Sequence, residues 1–249
     1  MIILKSPREV LLIKEASRVV ALCFDKVKPL IKPGVSTQEL NDFIDRVMRE
    51  EGAVSAELGY CGYPASICAS VNEVILHGIP SPKKILRDGD IITIDLVAKK
   101  NGYCGDAART FAVGICSERA LRMIDIAQEC FENALKVVRP GARVGDISHA
   151  IESTAKKYGC SVPRDYTGHG IGRGMHEDPA IPCYGVPGTG PVLRKGMTLC
   201  IEPMILEHGG DVRVLKDGWT VLSKDGGLTS HYENTIVVTD DGYEILTTL

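Results

Sequence analysis

The chain has 249 residues, 44% hydrophobic and 24% charged, enough to bury a large core as one domain or as two fused halves. Its net charge of −3, its pI near 6.1 and its scattered lysines and arginines argue against a nucleic-acid or membrane surface. No run of about 18 apolar residues is present to span a bilayer, and MIILKSPREV lacks the apolar core and cleavage site of a secretory signal. Nine cysteines without a C-x-x-C pair fit reduced thiols, so a cytoplasmic protein is expected.

The first predicted element is an amphipathic helix over Pro7–Leu30, followed by the Pro33-Gly34 turn. A second helix ends near Gly52, a suitable residue just past a helix C-terminus. GDIITIDL (Gly89–Leu96) reads as a buried strand that ends on an acid, Asp95. Lys99–Gly102 then signals a turn. Pairing Ala98 with Tyr103 across it sets Asp106 directly opposite Asp95. A tighter Asn-Gly turn leaves the two acids diagonal but on one face, because the side-chain period is two. Ser117 is a candidate N-cap for a helix reaching Val138, and after a second Pro-Gly pair a fourth helix ends near Gly159. TGHGIGRGMHEDP places His169 and His176 among glycines, where backbone can approach a ligand closely. GMTLCIEP (Gly196–Pro203) repeats the earlier pattern, an apolar strand ending on Glu202. The tail, WTVLSKDGGLTSHYENTIVVTDDGYEIL, is rich in β-branched residues and Asp-Gly turns, and so reads as antiparallel strands with Glu233 on a hairpin.

These echoes share one offset. Shifted by 107 residues, KPGVSTQELNDFIDRVMREEG (Lys32–Gly52) lies over RPGARVGDISHAIESTAKKYG (Arg139–Gly159), and ILRDGDIITID (Ile85–Asp95) over VLRKGMTLCIE (Val192–Glu202). Two matches at one offset imply duplication of a unit of about 100 residues, too long for a solenoid repeat. A single domain over 1–249 is expected, built of halves at about 1–110 and 111–249. Its class is α+β, with helices on the outer face of a largely antiparallel sheet. A pseudo-twofold axis would bring Asp95 and Glu202 together.

Opposed residues on a hairpin have Cβ atoms about 5 Å apart, and like charges there repel more strongly when buried. Either one acid is protonated or a cation lies between them. The alternative, two solvated hairpin acids, is opposed by the apolar IITI leading into Asp95. Asp95, Asp106, Glu202 and Glu233 with one imidazole make a hard, oxygen-rich set suited to Mn, Fe(II) or Co, with Zn tolerated. Four negative charges balance two divalent ions. Two ions about 3.5–4 Å apart can hold a bridging hydroxide and clamp a tetrahedral transition state, which is hydrolytic chemistry.

The ordered set Asp95, Asp106, His169, Glu202 and Glu233, within NEVILHGIP, IDLVAKKNGYCGD, TGHGIGRGMHEDP, CIEPM and HYENTIVVT, resembles the methionine aminopeptidases, in their short bacterial type I form. The resemblance covers nearly the whole chain and implies a pseudo-symmetric "pita-bread" fold acting as one catalytic domain. It implies that Asp95 chelates one metal, that Asp106 and Glu233 bridge two, and that His169 and Glu202 complete the second. Glu202 would take the proton of the attacking water, His77 would contact the scissile amide, and His176 would hydrogen-bond the carbonyl oxygen. Tyr60, Tyr63, Cys68, Met175 and Trp219 would line the methionine pocket. Met175 stands where relatives commonly carry an aromatic ring, and its flexible thioether can serve there. The resemblance also admits a monovalent cation near Asn72, Val74 and Thr229. It implies nascent polypeptide N-termini with a small second residue as substrates, met at the ribosome by a monomer, without direct contact to nucleic acid or membrane. No insertion of helical-domain size separates His176, Glu202 and Glu233, which disfavours the type II form; no cysteine-rich extension precedes the domain, unlike many eukaryotic type I enzymes. Two rival readings are an X-Pro dipeptidase, whose upstream domain is not seen, and a non-catalytic binding module, which would have lost ligands that are all intact here.

Overall fold

The computed structural model describes residues 1–249. Helix α1 (Pro7–Val27) starts at a capping box in which Ser6 accepts from Glu9 N–H and the Glu9 carboxylate returns to Ser6 N–H. Its buried residues Ile13, Ala16, Val20, Cys23 and Val27 recur every three or four positions, forming one apolar stripe. The last predicted turn, Lys28–Leu30, is a 3₁₀ turn, because Pro29 lacks an N–H and its ring would clash within a continuing α-helix. Helix α2 (Thr37–Glu50) has the same box from Ser36 and Glu39. Helix α3 (Glu118–Leu135) is capped by Ser117 and stops before Val138, and α4 is Val144–Lys157. Gly52 and Gly159 follow α2 and α4 in the left-handed conformation.

Fourteen strands follow in chain order: β1 (Val54–Ser55), β2 (Cys68–Val71), β3 (Val74–Leu76), β4 (Ile91–Lys100), β5 (Tyr103–Ala112), β6 (Thr167–Gly170), β7 (Glu177–Pro182), β8 (Thr198–Ile201), β9 (Met204–Leu206), β10 (Val212–Val214), β11 (Val221–Ser223), β12 (Thr229–His231), β13 (Asn234–Val238) and β14 (Tyr243–Ile245). They form four antiparallel sheets: β1-β4-β2 with β5 on β4, β10-β11-β3, β12-β9, and β14-β13-β8-β6-β7. Helices α1 and α2 share an apolar cluster with Ile92, Ile94, Leu96 and Ala98 of β4. Helices α3 and α4 share another with Leu199 and Ile201 of β8. With a side-chain period of two, Thr93, Asp95 and Val97 turn away from the helices on β4, as do Cys200 and Glu202 on and after β8.

Two expectations change. Strand β4 does not end at Asp95 but continues to Lys100, because Leu96, Val97 and Ala98 remain buried. The tight Asn101-Gly102 turn forms, with φ of 51° and 82°, which matches the twist of a two-residue hairpin. Lys100 therefore pairs with Tyr103, Asp95 faces Ala108, and Asp106 faces Val97; the acids are diagonal neighbours on one face. Of the Asp-Gly turns in the tail, Asp241-Gly242 turns the β13–β14 hairpin, whereas Asp225-Gly226 joins β11 to β12, which lie in different sheets.

Backbone hydrogen bonds recur at the 107-residue offset. Leu86 N–H donates to Val35 C=O at 2.8 Å and Leu193 N–H to Ala142 C=O at 2.7 Å; Gly34 N–H donates to Leu86 C=O at 2.9 Å and Gly141 N–H to Leu193 C=O at 3.0 Å. Helices α2 and α4 each have 14 residues.

Gly105 sets how closely α1 seats on the β4–β5 hairpin, since a Cβ there would lie 2.4 Å from Ser17 N. Gly105→Ala is expected to cost about 3 kcal/mol by overpacking, lowering the melting temperature by roughly 6–12 °C. Thermal denaturation followed by circular dichroism checks this, and an unshifted midpoint would mean that α1 moves freely.

Candidate metal centre

The inner faces border a cavity of about 720 Å³, lined by every catalytic, metal-ligating and methionine-pocket residue expected above, whereas Asn72, Val74 and Thr229 lie outside it. Asp95 lies on β4, Asp106 on β5 and His169 on β6; Glu202 follows β8, Glu233 precedes β13, and His77 follows β3. Strands β5 and β13 are bolted together beside the acids. Thr235 Oγ1 accepts from Asp106 N–H at 3.0 Å and donates to Asp106 C=O at 2.9 Å, while Glu233 N–H donates to Ala108 C=O at 3.0 Å. The glycines around His169 serve strand packing more than ligand approach: a Cβ on Gly170 would lie 2.1 Å from Asp178 O.

His169 Nδ1 lies 3.0 Å from Gly170 O, so its proton belongs on Nδ1 and the Nε2 lone pair faces inward. That lone pair lies 3.6 Å from Asp106 Oδ2 and 3.5 Å from Glu202 Oε1. Burial first, then His176, lowers the His169 pKa to about 3. A neutral ring with this tautomer has no proton to share with either acid. Lone pairs that converge in this way need a proton or a cation between them. Asp106 Oδ1 and Glu233 Oε1 are likewise buried without a hydrogen-bond partner.

The acids carry the same strain. Burial pushes Asp95 up to about 7. Burial and then Glu233 and Asp95 raise Asp106 well above the carboxylate range. Burial, then other acids of the cluster, do the same to Glu202 and Glu233. Arg109, the nearby guanidinium, donates instead to the carbonyls of Ala108 and Glu233 and to Asn234 Oδ1. The donor set therefore fits divalent cations, oxygen-rich with one imidazole. Cys200 also lies among Asp106, His169 and Glu233, but burial raises its thiol pKa far above neutrality, which keeps it protonated.

The remaining predicted residues form the cavity wall. Trp219 meets the Tyr63 ring edge-on at 5.0 Å and the His77 ring at 5.8 Å. Tyr63 is buried, its hydroxyl near the carbonyls of Ile67 and Gly78, at 3.1 and 3.2 Å. Cys68 packs with Tyr63, whereas Met175 belongs to a separate cluster with Val97 and Cys200. Tyr60 OH lies 2.9 Å from His176 Nδ1. His77 has a left-handed backbone, φ 55°, a conformation that costs energy in a non-glycine residue. Cys61 is exposed and plays no part in the wall.

Several residues were not found by sequence reasoning. Glu57 is a buried acid on the wall within reach of Cys68 and Asp95, Tyr166 stacks edge-on with His77 at 5.8 Å, and His231 is buried beside Glu202 and Glu233. Only His231 carried a signal: its spacing of two from Glu233 puts both on one face of an extended segment.

Residues 12–240 match the sequence profile of metallopeptidase family M24. The chain belongs to metallopeptidase family M24. This M24 chain is 46% identical to methionine aminopeptidase 1 of Bacillus subtilis (strain 168) over 247 residues, 99% of both chains. It superposes on the crystal structure of methionine aminopeptidase from Thermotoga maritima with a TM-score of 0.98, at 43% identity and over 100% of both chains. An Xaa-Pro dipeptidase from Bacillus anthracis shares the fold with a TM-score of 0.80 and 26% identity, matching 99% of this chain and 62% of that one. The M24 chain thus has the α+β architecture expected from its repeat and the pita-bread fold that the family resemblance implied, and none of its helices is long and apolar enough to cross a membrane.

Removal of metal should leave mutually repelling acids. Protein stripped by a chelator is expected to melt below the loaded form. Mn(II) at 100 times its dissociation constant should restore about 2.7 kcal/mol through binding to the folded state. Calorimetry paired with a binding titration tests this; a midpoint indifferent to metal would mean that protons alone hold the acids together.

Proposed function

We propose that the chain is a metal-dependent aminopeptidase that hydrolyses the first peptide bond of polypeptides beginning with methionine, with a small second residue preferred. The observation that carries this is the juxtaposition, in one cavity, of Asp95, Asp106, His169, Glu202 and Glu233 with an aromatic and thioether wall. Relatives named for that activity match along the whole chain. In this reading Asp95, Asp106, His169, Glu202 and Glu233 would together hold two divalent ions. When bound, two divalent ions, drawn from Mn, Fe(II), Co or Zn, polarise the scissile carbonyl and lower the pKa of water.

The chain's own groups do the rest. Glu202, whose burial raises its proton affinity, accepts the proton of the attacking water. Burial keeps His77 and His176 neutral, lowering His77 to about 4. In this reading Tyr60 OH, 2.9 Å away, donates to His176 Nδ1, which would leave the ring proton on Nε2. Nε2–H is then free to donate to the carbonyl oxygen as negative charge builds there. His77, held between Tyr166 and Trp219, hydrogen-bonds the scissile amide. The substrate's thioether packs against the ring edges of Tyr63 and Trp219 beside Cys68 and Met175.

A monovalent cation suits the convergence of Asn72 O, Val74 O and Thr229 Oγ1, where the hydroxyl lies 2.7 and 2.9 Å from the carbonyls with one proton for both. The recurrent hydrogen bonds support a single catalytic domain made by duplication, with halves at about 1–110 and 111–249. The natural substrates are nascent N-termini, met at the ribosome in the cytoplasm by a monomer.

Metal-loaded protein is expected to release methionine from Met-Ala-Ser and to leave an X-Pro dipeptide intact. Glu202→Gln should lower kcat at least about 100-fold. His77→Ala and His176→Ala should keep their metal yet turn over slowly. Cleavage of only the X-Pro substrate would move the assignment to a prolidase-like enzyme, and loss of metal from either histidine variant would mean that the ligand set is misassigned.

A further inference from the structure

His231 ends β12 with only 1% of its surface exposed, yet neither ring nitrogen has a hydrogen-bond partner. Its backbone is clamped: N–H donates to Thr110 Oγ1 at 3.0 Å, C=O accepts from the same hydroxyl at 2.9 Å, and the residue pairs with Met204 of β9. So anchored, the ring faces two acids. Nε2 lies 3.6 Å from Glu202 Oε2 and 3.8 Å from Glu233 Oε2. The other Glu202 oxygen, Oε1, faces His169 Nε2 at 3.5 Å, and Glu233 Oε1 is one of the unpartnered buried atoms. Each acid therefore has one oxygen toward the interior of the cluster and one toward His231.

We propose that His231 is a positioning residue of the metal centre: with its proton on Nε2, it donates to the outward oxygens of Glu202 and Glu233 and so turns their inner oxygens toward the metals. The inference rests on the metal-centre reading above. Leaving a buried polar group unpaired is costly, and closure of the cluster around cations would bring this donor within bonding distance of its two acceptors. Direct ligation by His231 is disfavoured by its other nitrogen. A metal-bound imidazole normally donates its second N–H to a carbonyl or carboxylate, as His169 does to Gly170 O; His231 Nδ1 has no such acceptor.

The first test uses the intact wild-type chain loaded with zinc and labelled with ¹⁵N-histidine. A long-range ¹H–¹⁵N spectrum is expected to show His231 protonated at Nε2, and a bare or metal-bound Nε2 overturns the proposal. The second is Mn(II) affinity by calorimetric titration. His231→Phe, which has no donor, should bind about 10–100-fold more weakly, and His231→Gln, whose amide can donate, should recover most of that loss. Wild-type affinity in the Phe variant overturns the proposal, as does a Gln variant as weak as Phe. Should the Phe variant fail to fold, the wild-type spectrum and the Gln variant decide. A wild-type chain that binds no metal would overturn the metal-centre reading, and this inference with it.

Discussion

The structure depends on one electrostatic conflict, the gathering of Asp95, Asp106, Glu202 and Glu233 at the wall of one cavity, three of them buried. Two unit charges 4 Å apart repel by about 4 kcal/mol at an effective dielectric of 20, and four such groups multiply that cost. Arg109 does not relieve it, since its donors are committed to backbone carbonyls and Asn234. Protons can quiet the acids, and a protonated Asp106 or Glu202 can donate to His169 Nε2, but Asp106 Oδ1 and Glu233 Oε1 are left without partners. Divalent cations satisfy all of these atoms together. Cation binding and folding are then linked, because an assembled site exists only in the folded chain.

Strand parity is what brings the acids together. On β4, alternate residues send Ile92, Ile94, Leu96 and Ala98 into the core under α1 and α2, which leaves Asp95 on the inner face. Leu199 and Ile201 of β8 do the same beneath α3 and α4, and Glu202 inherits the opposite side. A one-residue slip in either strand would bury an acid among helices and expose the apolar set to the cavity. The hydrophobic burial that stabilises each half thus fixes the register of its acids as well. Gly105 and Thr235 refine the placement, one by admitting α1 closely and the other by gripping the backbone of Asp106.

Much of this was legible in the sequence because it rests on local chemistry. The Ser117 cap, the Pro-Gly turns and the apolar runs before Asp95 and Glu202 carry their meaning in neighbouring residues. The offset of 107 linked the two halves before any coordinates were known. Other features are decided at longer range. Whether β4 stops at Asp95 depends on the burial of Val97 and Ala98 by distant elements, and the choice between two hairpin turns depends on strand twist. Glu57, Tyr166 and Cys200 are unremarkable in sequence and meet the site only through packing. His231 lies between these cases: its parity with Glu233 was visible, but its approach to Glu202 requires β12 and β9 to pair.

Chemistry and selectivity are carried by different parts of the fold. The acids stand on or beside paired strands, where main-chain hydrogen bonds limit their movement. The wall is drawn from the 3₁₀ turn at Tyr60–Gly62, from Met175 before β7 and from Trp219 between β10 and β11, segments that can vary without disturbing strand pairing. An Xaa-Pro dipeptidase shares the fold at a TM-score of 0.80, so the scaffold alone does not choose the substrate. Selection has to reside in the wall, and Glu57 makes that wall unusual. Burial first, then Asp95 and Asp106, raise its pKa well above the carboxylate range, which keeps a protonated acid beside Cys68. A neutral carboxyl adds a hydrogen-bond donor beside Cys68 without adding charge to the cluster. The shape and polarity of the pocket thereby become adjustable independently of the acid cluster.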